Sequence, residues 1–365
     1  MTELRAAPIL ESSAVLDWLW PLETVGQRRR TNQKRVGGKA WGLARLLREG
    51  YPVPRGWVLD ARCFTRQVEE HLPKGHELGT VVKLAGTRAG VERAARARDW
   101  LLTAPLPAGL LAAIDALWGA IEGEAPWGLA VRSSATCEDT EESSLAGLAE
   151  TALGARGPEA IAAGIRKVWA SAYLPRAIAY LARVGLREAS MGVVLQIMVP
   201  AEAAGVLFTA PPPGLEGEAW PPDERLINAT VGLGAPVVEG SAAVDTFRIA
   251  RRGGAVVDAA VARKRRALGM GAEGLDEITL SEEQAAAPSL GPEALRELST
   301  LADRLEEGGG GPFDVEFAVE KGRFGAAPKV WLLQVRPLRG GSAPEGGDAE
   351  TVWSRANVGE ALPGA

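Results

Sequence analysis

The sequence predicts a mixed α/β (α+β) fold in two lobes, helix-rich over residues 1–190 and strand-rich over 191–338. Three observations predict it. In KAWGLARLLREG (39–50), Trp41, Leu43, Ala44, Leu46 and Leu47 recur at helical spacing, and Gly50 sits where a helix stops. From residue 191 that period gives way to short apolar runs separated by turn residues. The runs FDVEFAVE (313–320) and KVWLLQVRP (329–337) then alternate with period two and close the fold as a hairpin.

The elements follow in order. Pro52 and Pro54 punctuate a turn before a strand at Gly56–Leu59. Helical stretches rich in Ala, Leu and Arg run to about residue 120. Gly128–Val131 reads as a short buried strand that ends abruptly at Arg132-Ser133-Ser134, and one helix is expected over 158–184. VVLQIMV (193–199) and AGVLFT (204–209) flank PAEA as a hairpin. RLINA, VDTFRIA and GAVVDAAVA continue the strand pattern, and a helix over 292–307 runs into four glycines. RGGSAPEGGDA (339–349) is a polar, Gly-rich linker, so 339–365 reads as a linker and the start of a further domain.

Bulk properties narrow the class. Hydrophobic residues make up 46% and charged residues 24% of 365, values of an ordinary globular chain. No run of about 18 apolar residues occurs, so no membrane span is expected. MTELRAAPILESS lacks the features of an export signal, and Cys63 and Cys137 fit a reducing compartment, so a cytoplasmic protein is expected. A net charge of −5 gives no general attraction for nucleic acid. The basic runs Arg28-Arg29-Arg30 and Arg263-Lys264-Arg265-Arg266 read as solvated surface.

Chemistry concentrates in two places. In the closing hairpin, alternation puts Asp314, Glu316 and Ala318 on one face, opposite Phe313, Val315, Phe317 and Val319. On the partner strand, Gln334 and Arg336 share a face with Leu332, opposite Trp331, Leu333 and Val335. Glu316 and Gln334 supply oxygens suited to Mg²⁺, and Arg336 suits phosphate. The same residues also fit a strand with a solvated polar face. The second place is Gly37-Gly38-Lys39, which opens a helix where N–H groups and a lysine favour an anion. Arg132-Ser133-Ser134 and the small-residue loop SSLAG (143–147), ending in Gly147, suit phosphate as well. Each of these, taken singly, also occurs for purely structural reasons.

Five stretches in order carry a resemblance: VGGKAWGLARLLREGYPVPRGWVL (36–59), LAVRSSATCEDTEESSLAGLAET (129–151), VVLQIMVPAEAAGVLFT (193–209), VGLGAPVVEG (231–240) and GPFDVEFAVE with VWLLQVRPL (311–338). The chain resembles the N-terminal ATP-binding domain of the phosphoenolpyruvate synthase, pyruvate phosphate dikinase and rifampin phosphotransferase family, a variant of the ATP-grasp fold. The resemblance implies that Lys39 and Arg132 hold ATP phosphates, with Gly147 in the covering loop. It implies that Gln196, Met198 and Val199 line the adenine slot, the last two largely through backbone groups. It assigns Mg²⁺ to Glu316 and Gln334, with Asp314 beside them, and the transferring phosphates to Arg336. Lys39, Arg132 and Arg336 are then the catalytic cations, and the nucleotide is expected in a cleft between the lobes.

The family's reaction passes phosphate through a histidine on a separate swivelling domain, and a further domain binds the final acceptor. Only His71 and His76 occur here, in a Pro/Gly-containing stretch unlike that histidine's motif. The expectation is therefore a donor half, a truncated piece or a split subunit, with the acceptor parts elsewhere. Three positions depart from the family pattern: Pro211 after Phe-Thr-Ala, Ala235 in place of a carboxylate, and Leu148 in place of glutamine. A nucleotide-binding regulatory module without chemistry is the alternative.

Overall fold

The computed structural model describes residues 13–27, 31–136, 150–185, 190–210, 221, 223–238, 240–271, 274–309, 311–322 and 326–338. Gly147 and its loop, Cys137, Leu148, Pro211, Arg28–Arg30 and the 339–365 segment lie outside the described residues. The chain forms two compact units, residues 1–50 with 54–198, and residues 51–53 with 199–365.

The first unit is built on five strands: β1 (Leu19–Pro21), β2 (Gly56–Leu59), β3 (Leu129–Ala135), β4 (Thr151–Ala155) and β5 (Met191–Ile197). They pair antiparallel in the order β1-β2-β5-β3-β4. The helices of this unit among the described residues are α1 (Ser13–Leu16), α2 (Gln33–Val36), α3 (Gly38–Arg48), α4 (Ala61–His71), α5 (Leu78–Lys83), α6 (Arg88–Thr103), α7 (Ala108–Ile121), α8 (Pro158–Ser171) and α9 (Pro175–Arg183). Strand β2 is buried along its whole length, as expected of a strand covered on both faces. Trp57 and Leu59 join the large core with Phe64, Ile114, Leu117, Ile165 and Trp169. On α3, Ala40, Leu43, Ala44 and Leu46 are buried, which bears out the helical spacing read there.

Three expectations change. Strand β3 runs through Arg132, Ser133 and Ser134 rather than ending before them, because all three pair with β5. The single helix over 158–184 is two, since Leu174 takes an extended conformation (ψ 144°) ahead of Pro175 at the start of α9. Strand β5 lies past residue 190, where the lobes were expected to divide, and yet pairs with β2 and β3, so the first unit runs on to Met198.

The second unit is a sheet of β6 (Ala201–Phe208), β7 (Glu224–Val231), β8 (Asp245–Ala250), β9 (Val256–Ala260), β12 (Phe313–Glu320) and β13 (Lys329–Pro337). Its order is β13-β12-β6-β7-β8-β9, every pair antiparallel. A separate hairpin pairs β10 (Arg266–Met270) with β11 (Leu275–Thr279). The helices are α10 (Ala235–Val238), α11 (Glu282–Ala286) and α12 (Pro292–Gly309). The hairpin expected across PAEA does not form: VVLQIMV belongs to the sheet of the first unit, whereas β6 pairs with β7 and β12. Tyr51–Val53 belongs here too, with the Pro52 carbonyl accepting from Leu332 N at 2.8 Å and Arg304 stacked 4.5 Å above the Tyr51 ring.

Helix α12 is bolted to one face of this sheet by two buried charges. The Arg225 guanidinium, wholly buried on β7, donates to Ser299 O and Oγ, to Asp303 Oδ1 at 2.6 Å and to Glu306 Oε2 at 2.7 Å. Arg251 grips the other side of Glu306 and reaches Thr209 O at 2.6 Å. Asp245 and Lys264 form the second bolt, an ion pair with no solvent exposure. Asp245 also accepts from Ala262 N at 2.8 Å and from Ser289 N at 2.6 Å, just ahead of α12. Lys264 thus leaves the basic run read as solvated surface, because a buried carboxylate needs a countercharge.

No single described helix is long and apolar enough to cross a membrane. Helices α6 and α7 pass by length and composition only as a pair bent by 56°. Ala97, Leu101, Leu110, Ile114 and Leu117 from that pair are spent on the core.

Two outcomes follow from these packings. Lys264→Met leaves Asp245 buried without its countercharge and is expected to cost about 3–5 kcal/mol in denaturant unfolding. Adding Asp245→Asn should return part of that loss, so that the two changes are not additive. The Cys63 thiol is pushed up to about 12 by burial, with Asp60 adding to the effect. Iodoacetamide at pH 8 should therefore leave the Cys63 peptide unmodified in the folded chain and label it in guanidinium, as mass spectrometry would read.

Candidate functional site

In the first unit, the turn Gly37-Gly38-Lys39 is pressed onto the end of β3. Gly37 has φ +80°, and a Cβ built there would lie 2.0 Å from the Ser134 carbonyl oxygen. Only glycine meets both conditions. Helix α3 starts at once, and Ser134 Oγ accepts from Ala40 N at 2.9 Å, satisfying one of the helix's first N–H groups. Lys39 Nζ donates to Ser133 O at 3.1 Å. Arg132, the residue before it, lies inside β3, opposite Thr151 of β4 and Val194 of β5. Lys39 and Arg132 are thus brought to one stretch of strand, next to a helix N-terminus. Two cations beside the start of a helix are residue types that suit an anion.

The expected adenine residues have mixed positions. Gln196 is buried on β5, and its Nε2 donates to Pro54 O at 3.1 Å. Met198 N donates to Gly128 O at 3.1 Å. The Met198 thioether accepts from Gly154 N. Val199 belongs to the second unit, where its carbonyl accepts from Ala201 N at 2.7 Å.

In the second unit, the closing hairpin places Asp314 opposite Arg336 and Glu316 opposite Gln334. Directly opposed residues of an antiparallel pair point to the same face, so all four share one side of the sheet. A β-bulge between Glu316 and Phe317 changes the neighbours that simple alternation predicts. Leu332 pairs with Phe317 on the apolar face, and Trp331 pairs with Ala318 on the polar one. The extra residue, Leu333, is absorbed at the bulge. Trp331 is then fixed by its own polar neighbours, donating Nε1–H to Glu320 at 2.9 Å, with Lys329 Nζ 3.4 Å from its ring centroid. The Glu316–Gln334 row continues across the sheet to Val206, Asn228 and Thr246. Asn228 is a buried amide on this face that the sequence reading did not single out.

Asp314 is the electrostatic anomaly. Its Oδ1 is sealed from solvent and has no hydrogen-bond partner. Burial pushes its carboxyl up to about 6, Arg336 opposing the rise and Glu316 adding to it. Arg336 Nη2 lies 3.8 Å from Glu316 Oε1. An unsatisfied carboxylate oxygen is costly unless a cation takes it up. Asp314, Glu316 and the Gln334 carbonyl form an all-oxygen donor set, which fits a hard divalent cation. No cluster of three or more His, Cys, Asp or Glu fit for a metal occurs among the described residues.

The first unit thus carries Lys39 and Arg132 beside the glycine turn, and the second carries the opposed pairs Asp314–Arg336 and Glu316–Gln334. The pyruvate phosphate dikinase AMP/ATP-binding domain family matches residues 33–355, and the chain belongs to that family. It is 31% identical over 356 residues to the phosphoenolpyruvate synthase of Aeropyrum pernix, covering 88% of this chain and 41% of that protein. It is 34% identical over 311 residues to the rifampicin phosphotransferase of a Streptomyces species, covering 83% and 34%. It is 35% identical over 307 residues to the prodigiosin synthesizing transferase PigC of Serratia marcescens, covering 83% and 31%. The chain thus spans less than half the length of these relatives.

The Gly37 contact gives a paired test. Gly37→Ala forces an unfavourable φ and meets the Ser134 oxygen, and should cost about 1–3 kcal/mol in thermal unfolding. Gly42→Ala, on open helix surface, should instead gain about 0.5–1 kcal/mol.

Proposed function

We propose that this chain binds ATP with Mg²⁺ and positions its phosphates for pyrophosphoryl transfer to a histidine on a separate swivelling domain. The observation that carries the reading is the sealed, partnerless Asp314 oxygen beside Glu316, Gln334 and Arg336. Lys39, Arg132 and the N–H groups opening α3 would hold phosphate oxygens. Glu316 and Gln334 would hold the metal, with Asp314 beside them, and bound Mg²⁺ would neutralise charge that develops on the phosphates. Arg336 would leave Glu316 for the transferring phosphates, where a guanidinium can bond in two places. Gly147 would cover the phosphates, and Gln196, Met198 and Val199 would line the base slot. No nucleophile within the chain is needed in this reading. The residues bind, orient and stabilise charge. The two-lobed architecture is read as an ATP-grasp variant, with residues 339–365 as linker and the start of the next domain. The final acceptor is bound by a further domain, the whole working in the cytoplasm.

A second reading, a nucleotide-binding regulatory module without chemistry, is favoured by one position. Ala235 stands at the start of α10, where the resemblance calls for a carboxylate. Supplying a relative's phosphohistidine domain in trans separates the two readings, since AMP release supports transfer and ATP binding without AMP release supports the module.

Calorimetric titration with ATP, with and without Mg²⁺, tests the binding itself. The wild type should show a Mg²⁺-dependent gain in affinity that Glu316→Ala loses, on the order of tenfold or more. Lys39→Ala should weaken binding under both conditions. Unchanged Mg²⁺ dependence in Glu316→Ala would sink the metal assignment.

A further inference from the structure

The turn that carries Lys39 is gripped from the side away from β3 as well. Helix α2 is a single turn, with no side-chain cap at Asn32, and so short a helix does not hold itself. Besides buried Val36, Arg35 fixes it. Its guanidinium lies flat above the Trp20 ring of β1, 4.6 Å from the centroid. Its Nε and Nη2 both donate to Asp60 Oδ2, the former at 3.1 Å. Asp60 is itself buried. Its Oδ1 caps α4 by accepting from Arg62 N at 3.0 Å, and its Oδ2 takes Arg62 Nε at 2.9 Å. One side chain therefore ties α2 to β1 and to the junction of β2 and α4.

The tolerance of the neighbouring turn is what gives this clamp a role. Gly37 follows α2 with one residue between it and Arg35, and it already sits closer to Ser134 than any side chain permits. A small rotation of α2 would drive Gly37 into β3 or lift it away. Either movement displaces Lys39 and the first N–H groups of α3, which are set in the turn that follows. We propose that Arg35 and Asp60 are positioning residues for the phosphate cradle, acting through the Gly37–Lys39 turn rather than on the ligand. This rests on the reading of Lys39 as a phosphate ligand. Lysine in place of Arg35 would keep the charge but lose the fork and the flat stack on Trp20.

The experiment measures affinity for ATP and for adenosine, the phosphate-free control, in wild type, Arg35→Met, Arg35→Lys, Asp60→Asn, Lys39→Ala and the Lys39→Ala/Arg35→Met pair. Circular dichroism and thermal unfolding establish which variants are folded. Arg35→Met and Asp60→Asn are expected to lose ATP affinity on the order of tenfold, as supporting residues of a binding group do, with adenosine affinity unchanged. Arg35→Lys should fall between them and wild type. In the Lys39→Ala background, Arg35→Met should cost clearly less than it does alone, because only the N–H groups opening α3 remain to be positioned. Equal losses for ATP and adenosine, an unchanged ATP to adenosine ratio, or full additivity with Lys39→Ala would each overturn the clamp. Should Arg35→Met fail to fold, Arg35→Lys and Asp60→Asn decide by the same ratio. A wild type that binds no ATP would overturn the function reading instead.

Discussion

Residue 37 has no room for a side chain, and the first unit is organised around that fact. The Ser134 carbonyl oxygen occupies the place a Cβ would take. Because backbone meets backbone there, α3 can begin directly beside β3 and borrow the Ser134 hydroxyl for its opening N–H groups. The lysine two residues on is delivered to the strand that carries Arg132. A Cβ on Gly192 would likewise lie 2.7 Å from Val36 O, so the turn is hemmed in by β5 as well.

The second unit divides its labour between the two faces of one sheet. The face under α12 holds the costly buried charges, each matched: Arg225 against Asp303 and Glu306, and Lys264 against Asp245. The opposite face holds Asp314, whose Oδ1 has no match at all. On the first face the match is incomplete in one atom, since Arg225 Nε has no hydrogen-bond partner. Thr209 links the faces, since its carbonyl takes Arg251 while its hydroxyl accepts from Phe313 N at 2.8 Å, one residue before Asp314.

Much of this was legible in the sequence where one physical signal acted alone. Alternation in FDVEFAVE and KVWLLQVRP gave both strands to the residue, and with them the shared face of Asp314, Glu316, Gln334 and Arg336. The bulge that swaps Trp331 and Leu332 left no such trace, because period two carries no mark of a skipped residue. VVLQIMV and AGVLFT looked like a hairpin because local pattern cannot say which sheet a strand joins. Lys264 looked like surface in a basic run, since its buried partner Asp245 lies far back in the chain. Pro175 was a readable break that the surrounding apolar period masked. The clamp of Trp20, Arg35 and Asp60 draws on three separate segments, so nothing local announces it.

The short strip Tyr51–Val53 sets an order of events in time. It belongs to the second unit and supplies a carbonyl to β13, the edge strand of that unit's sheet. A chain leaving the ribosome makes Pro52 roughly 280 residues before Leu332, an interval of about a quarter of a minute to a minute at ordinary elongation rates. Throughout that wait the first unit can complete its sheet on either side of a strip whose partner does not yet exist. When β13 emerges, the Pro52 acceptor for Leu332 N has already been made, and one N–H of an edge otherwise open to foreign strands is closed on arrival. Early synthesis of three residues thus serves as a guard for an edge strand made much later.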